Sequence, residues 1–312
     1  MKIKLMNTRG FAAALLMAST VVSANTLVKV DDHVYAYLGT DDYSAANSYG
    51  ANAGIVIGED AVLVIDTQIS SQRAQQFIAA IRTVTDKPIR YALNTHFHSD
   101  HSFGNADFAA LGATVISHTM ADSYMKKWSQ KILDKGWSGL TQEQSAGTRI
   151  VYPDVTFSES LSIDLGGIRP QLVFNTHSHT KGSVFFHLPE QKILFAGDLL
   201  FNDYHPNMGA SDVDGWVETL DRVSALDIET IVPGHGPLSG KQDLAELRSY
   251  LLMFDEKAKE FATDSADIKA VQAKLLAVMP HRSHGESAIK SSLKWKYMRK
   301  PAKPKPVTTA KK

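Results

Sequence analysis

The chain has 312 residues, 44% of them hydrophobic and 21% charged, with 33 basic residues balancing 33 acidic ones and no cysteine. That composition excludes a coiled coil, a collagen and a disordered polymer, and a chain of this length buries roughly three quarters of its extended surface. The lack of cysteine excludes structural disulfides and a lipid-modified cysteine.

Lys2, Lys4 and Arg9 precede a small, apolar run over 11–22, and Val22-Ser23-Ala24 offers small side chains for cleavage before Asn25. This is the layout of a secretory signal peptide over residues 1–24, so a periplasmic or secreted mature chain is expected. The run is shorter than the ~20 residues a membrane span needs, and no later stretch is long and apolar enough, so no integral membrane segment is expected in the mature chain. Residues 25–289 hold 21 basic and 33 acidic residues, a net of −12, whereas from Lys290 onward there are nine basic residues and no acidic one. A basic end can touch anionic lipid or nucleic acid. Pro301, Pro304 and Pro306 instead favour a solvated, disordered tail over 290–312, with no nucleic-acid partner.

A strand-like run at 28–38 leads into a polar loop over 39–52. Runs at 55–57 and 61–65 flank Gly58-Glu59-Asp60, which reads as a tight hairpin. Phe77, Ile78 and Ile81 give 72–84 helical spacing. A short buried strand follows at 89–93, a helix at 103–111 and a strand at 114–117. The polar stretch 123–147 is expected to be helical and to sit over a cleft. The second half repeats the outline, with strands at 168–174, 183–188, 192–196 and 230–232 and helices at 212–225, 242–261 and 268–278. Two β-rich halves with outer helices imply an α/β layered sandwich and one catalytic domain over 25–289.

The chemistry is concentrated in Asn94-Thr95-His96-Phe97-His98-Ser99-Asp100-His101, just after the buried strand. Imidazole and carboxylate suit zinc and related divalent metals. Residues two apart in extended backbone point the same way, so His96 and His98 can share one ion. Asp100 and His101 follow as the chain turns toward a helix and can face a second. Thr176-His177-Ser178-His179-Thr180, Ala196-Gly197-Asp198 and Pro233-Gly234-His235-Gly236 each follow a further apolar strand. Strand ends are where a rigid site is best built, and the glycines let the backbone turn sharply.

His-x-His-x-Asp-His, a later Ser-His-Thr-x-Gly-Ser, a Gly-Asp and a Pro-Gly-His-Gly, in that order over about 28–255, resemble the metallo-β-lactamase superfamily. The resemblance implies a four-layer αββα sandwich. It implies that His96, His98 and His179 hold one metal, that Asp100, His101 and His235 hold another, and that Asp198 bridges them. Asp66 resembles the family's aspartate that supports the ligand loop from behind. Ser178 replaces the family's usual glycine, a change a small residue tolerates. Zinc lactamases with a cysteine ligand carry it at about the Asp198 position, so the cysteine-free chain resembles the glyoxalase II-like, lactonase and nuclease branches instead. Glyoxalase II's basic C-terminal pattern is not found, and the long C-terminal domain of alkylsulfatases would not fit after residue 255.

The implied cofactors are two divalent ions, zinc foremost with iron or manganese as alternatives. They acidify a shared water toward pKa ~7, and the water attacks an ester, thioester, lactone or lactam in a small-molecule substrate. Asp100 then binds metal and also orients the nucleophile, while Tyr204 or His205 can donate a hydrogen bond to a developing oxyanion. Lys181 is a candidate partner for a substrate carboxylate, and Tyr43 and Tyr49 lie in an early loop that can cover the site. Two rival readings remain: an iron-dependent redox reaction on the same centre, and a non-enzymatic periplasmic factor acting in cofactor maturation. The sequence leaves substrate identity and oligomeric state open.

Overall fold

The computed structural model describes residues 26–39, 42–174 and 176–298, so the expected signal peptide lies outside the described residues. β1 (Thr26–Asp31) and β2 (Val34–Leu38) are an antiparallel hairpin where the sequence reads as one run, because the Asp31 carboxylate accepts the His33 N–H and closes a turn. The polar loop after β2 contains a 3₁₀ turn, Ala45–Gly50, in which Ser48 and Tyr49 take left-handed backbone. β3 (Ala53–Ile57) and β4 (Val62–Ile65) form the expected hairpin. α1 (Ser71–Arg82) starts where the Ser70 side chain accepts the Arg73 N–H, and it buries Ala74, Phe77 and Ile81. β5 (Ile89–Leu93), α2 (Ser99–Ser102), α3 (Asn105–Ala110), β6 (Thr114–His118), α4 (Thr119–Asp134) and β7 (Val155–Phe157) complete the first half.

β1 to β7 lie side by side in chain order in one sheet; its β4–β7 part is parallel, which the intervening helices permit. The second half supplies β8 (Ser160–Ser162), β9 (Gln171–Phe174), β10 (Val184–Leu188), β11 (Ile193–Phe201), α5 (Val213–Ser224), β12 (Thr230–His235), α6 (Lys241–Asp264), α7 (Ile268–Val278) and α8 (Glu286–Ser292). Its sheet runs β12-β11-β10-β9-β8.

Three apolar clusters define the layers. Val56, Leu63 and Leu93 of the first sheet meet Leu172, Phe186 and Phe195 of the second, which makes the core between the sheets. Ile55 and Val64 point the other way, to Phe77 of α1 and Phe108 of α3. Leu194 and Leu200 of β11 point to Trp216 of α5 and to Leu247 and Leu251 of α6. The order is helices, sheet, sheet, helices, as an αββα sandwich requires.

The C-terminal boundary differs from expectation. Residues 290–298 are not a free tail: α8 continues into a π-helical turn, Leu293–Tyr297, and the rest of the expected tail, after 298, lies outside the described residues. The reason is a short apolar stripe hidden among the lysines. Ile289 and Leu293 are fully buried in the core beneath α6 and α7, and the Tyr297 hydroxyl donates to Asp255 at 2.8 Å. Leu293→Ala is therefore expected to lower the unfolding free energy by about 2–5 kcal/mol. Denaturant unfolding measures this, and an unchanged midpoint would mean that the segment carries no packing.

Candidate metal centre

The ends of four strands and a break in a fifth converge. Asp66 follows β4, His96 and His98 follow β5, His179 lies in the turns between β9 and β10, and His235 closes β12. Asp198 lies inside β11, at a point where its pairing with β12 slips between Phe195 and Gly197. Gly197 takes left-handed backbone there, with φ of 50°, and a β-carbon on it would sit 2.6 Å from Thr95 Oγ1. Beside His235 the sharp turn falls at Gly236, with φ of 99°, while at Gly234 a β-carbon would fall 2.1 Å from Asp198 Oδ1, so glycine there is what lets the carboxylate in.

All seven expected side chains are brought together. His96, His98, His179 and Asp198 form one group that can hold a metal ion, and Asp100, His101 and His235 form another. In the first group His98 Nδ1 lies 3.0 Å from His96 Nε2 and 3.1 Å from His179 Nε2, which is itself 3.1 Å from Asp198 Oδ2. In the second, Asp100 Oδ2 is 3.6 Å from His101 Nε2 and 3.5 Å from His235 Nε2, and those two nitrogens are 3.5 Å apart. Four donors held ~2.0–2.1 Å from a tetrahedral ion are separated by about 3.3 Å, so both groups have the spacing a cation needs. Asp198 Oδ1 is buried and receives no well-directed hydrogen bond, a cost that a cation would remove.

Hydrogen bonds behind the cluster aim the lone pairs. The Asp66 carboxylate accepts the Thr95 N–H and the Thr95 hydroxyl, both at 2.8 Å, and His101 Nδ1 donates to it at 2.8 Å. With its proton spent on Asp66, Thr95 Oγ1 accepts from His96 Nδ1 at 3.1 Å. His235 Nδ1 donates to the Tyr49 carbonyl at 3.1 Å. In the His96, His101 and His235 rings, when neutral, the proton therefore sits on Nδ1 and Nε2 is left as a lone pair facing the centre, whereas His98 faces it with Nδ1. Asn94 supports the same loop by donating to the His101 carbonyl at 3.1 Å and pairing with Asn105.

The electrostatics are strongly perturbed. Burial depresses the His98 imidazole to about 4, and nearby His179 adds to the effect. Burial opposes charge on His235 too, but Asp198 and Asp100 outweigh it and raise the ring to about 9. His101 is held well above its ordinary value: burial opposes this, and Asp198, Asp100 and Asp66 prevail. Asp198 is held well below the usual carboxylate range, because His101, His235 and His96 outweigh its own burial. Without cations, protons on His101 and His235 answer the carboxylates; a bound divalent cation would displace those protons.

A cavity of about 840 Å³ opens onto the cluster at His98, Asp100, Asp198 and His235. Tyr43 and Tyr49 line it, as expected of the early loop, and Trp128 and Trp137 line it from the segment expected to sit over a cleft. The structure corrects the placement of Tyr204. It is buried, does not line the cavity, and packs its ring between Tyr43 and His284 at 5.6 Å from the His235 ring. The backbone bridge from Tyr204 to His284 draws it down there, so its ring packs beside His235 and not among the residues that line the cavity. His205 also turns away, pairing with the Tyr250 hydroxyl at 2.6 Å. Lys181 is exposed and outside the cavity, and His177 Nε2 donates to the Ala210 carbonyl instead of joining the cluster.

Sequence reasoning missed Asn52. Its side chain donates to the Pro233 and Gly236 carbonyls at 2.9 and 2.8 Å and clamps the strand end that carries His235; a lone asparagine in a polar loop gives no such signal. Asp66→Asn keeps the shape but removes the acceptor for two donors. It is expected to weaken cation binding about 10- to 100-fold, measured by competition with a chromophoric chelator; wild-type affinity would show that the ligands orient themselves.

The family model described as metallo-beta-lactamase superfamily matches residues 47–235, a span that contains all seven donor residues. A linear primary-alkylsulfatase from a Pseudomonas sp. is 23% identical over 224 residues, which is 60% of this chain but 42% of the alkylsulfatase. A metallo-beta-lactamase type 2 from Bacteroides fragilis is 21% identical over 75% of this chain and 88% of its own length. An acyl-coenzyme A thioesterase from Bos taurus is 27% identical over 64% of this chain and 77% of its own. Among solved structures, a metallo-beta-lactamase from Pontibacter korlensis superposes with a TM-score of 0.60 at 22% identity, covering 73% of this chain and 99% of that one. By fold, by donor set and by the family model, the chain belongs to the metallo-beta-lactamase superfamily.

Proposed function

We propose that the chain is a periplasmic or secreted hydrolase that holds two divalent cations, zinc foremost, and cleaves an ester, thioester, lactone or lactam in a small molecule. The observation that carries this reading is the placement of Asp198. Its Oδ2 lies 3.1 Å from His179 Nε2 and its Oδ1 3.1 Å from His101 Nε2, so one carboxylate faces both donor groups and can offset the repulsion between two cations. Bound there, such ions would acidify a shared water and polarise the substrate's oxygen.

The chain's own residues do the rest. Asp100 lines the cavity with its carboxylate partly exposed, where it orients the attacking water by accepting its hydrogen. Phe201 stacks on His235 at 5.0 Å and Trp216 packs edge-on to His179 at 5.2 Å, which fixes the rings and keeps bulk water from behind them. No cysteine nucleophile is available and none is needed. The relatives are named for opening a sulfate ester, a β-lactam and an acyl thioester, and a carboxylate at Asp198 in place of cysteine favours the ester side of that range.

Elemental analysis of the purified chain is expected to give two metal equivalents. Hydrolysis of chromogenic ester, thioester, lactone or lactam substrates should vanish on chelation and return with zinc. Asp198→Ala should hold fewer equivalents and lose most activity, while Lys181→Ala, altered outside the cavity, should keep both. Activity that survives full demetallation, or two tightly held ions in Asp198→Ala, would overturn this mechanism. Export has its own test: protein recovered from a Gram-negative periplasm should begin at or near Asn25 by mass spectrometry, and uncut protein in the cytoplasm would count against it.

A further inference from the structure

The π-helical turn and α8 form part of the wall of the reaction cavity. Ser287, Ser291, Lys294 and Trp295 line it, opposite in sequence to the α4 side that brings Tyr124, Trp128 and Trp137. Trp137 and Trp295 remain 60% and 56% exposed, a large apolar area to leave in water. Each is accompanied by a cation. Lys131 Nζ stands 5.2 Å over Trp128 and 5.5 Å over Trp137, and Lys294 Nζ stands 4.8 Å over Trp295. The mouth is thus apolar and positive, on a body that carries a net of −12 over residues 25–289.

Lys294 is the only lysine or arginine lining the cavity among the described residues, and none of the ion pairs among those residues involves it. The carboxylates in the same cavity, Asp100 and Asp198, are engaged by the imidazoles of the cluster. Deeper in, Phe97 and Tyr124 stack at 5.0 Å and extend the aromatic wall toward His98. A ligand that satisfies all of these features has an apolar portion for the tryptophans and an anionic group for Lys294, set apart from the bond at the cluster.

We propose that Lys294 anchors the anionic group, and Trp295 with Trp128 and Trp137 the apolar chain, of an amphiphilic anionic ester or thioester substrate. This rests on the hydrolase reading for the bond that is cleaved, but the binding it describes stands apart from turnover. Both Lys294 and Trp295 are exposed, so their substitution leaves the core in place.

The test is calorimetric binding of decanesulfonate to the full chain, both zinc-loaded and chelated, with butanesulfonate and decyltrimethylammonium as comparators. Decanesulfonate should bind tightest, and more weakly as salt is raised. Lys294→Ala should weaken it roughly tenfold in both metal states, the size of a charge-assisted contact. Trp295→Ala should abolish the advantage of decanesulfonate over butanesulfonate, and Lys181→Ala should change nothing. Persistence of the Lys294 effect after chelation separates the anchor from sulfonate held by zinc. Equal binding of decyltrimethylammonium, or equal losses in Lys181→Ala and Lys294→Ala, would overturn the proposal. If this discrimination holds while no ester or thioester is turned over, the hydrolase reading fails and the anchor stands; if esters are hydrolysed and the discrimination is absent, the reverse is true.

Discussion

The centre depends on one buried carboxylate. Asp66 has three donors on its two oxygens, and burial by itself pushes its pKa up, against the pull of His101 and Thr95. Through His101 it orients a donor of one group, and through the Thr95 hydroxyl it orients His96 in the other. The two groups are therefore not independent: a single charge, less than 3% exposed, sets the tautomers on both sides. The position has a conformational cost as well. Asp66 and Gln68 both take left-handed φ, of 60° and 73°, a strain that costs of order 1–3 kcal/mol per residue. The Thr67 N–H donating to the His101 carbonyl at 2.9 Å helps hold that turn.

The second support comes from the early loop. The Tyr49 carbonyl fixes His235, while its hydroxyl donates to the Ser138 carbonyl at 2.8 Å, so the loop spans from the donor cluster to the segment after α4. Tyr49 is another left-handed residue, with φ of 54°, and its strained backbone is what turns the carbonyl toward the imidazole. The loop is thus both part of the cavity lining and part of what aims a donor. Substrate contacts on this side would be felt directly at His235.

Much of this was legible in the sequence because the donors are dense and each follows an apolar run. His96 to His101 place four donor side chains within six positions, and no ordinary surface loop needs that. Asp66 was legible only as a likeness, since a lone aspartate after a strand also caps turns; its role becomes physical when Thr95 and His101 are seen to share it. Tyr204 was misplaced because proximity in sequence to Asp198 says nothing about which side of β11's continuation a ring takes, and the pairing with His284 decides that from 80 residues away. The segment after 290 was misread because nine basic residues dominate its composition, while Ile289, Leu293 and Tyr297 supply a short stripe at helical spacing that packs under α6 and α7. Composition describes the average of a segment; burial is decided by which few side chains face inward.

The donor set is divided between the halves of the chain. His96, His98, Asp100 and His101 come from the half that builds the first sheet, and His179, Asp198 and His235 from the half that builds the second. Neither half completes a donor set alone. The spacing of the donors is therefore fixed by the packing of one sheet on the other, where Gly54 of the first sheet leaves room for the Phe195 ring of the second. A cation bound at either group would tie residues from both halves and would add its binding free energy to the stability of the fold, since the unfolded chain offers no such set. The same closeness has a converse. Three carboxylates and five imidazoles in one buried cluster are poorly balanced by protons alone, so the between-sheet core must hold together a centre that, without cations, works against the packing that creates it.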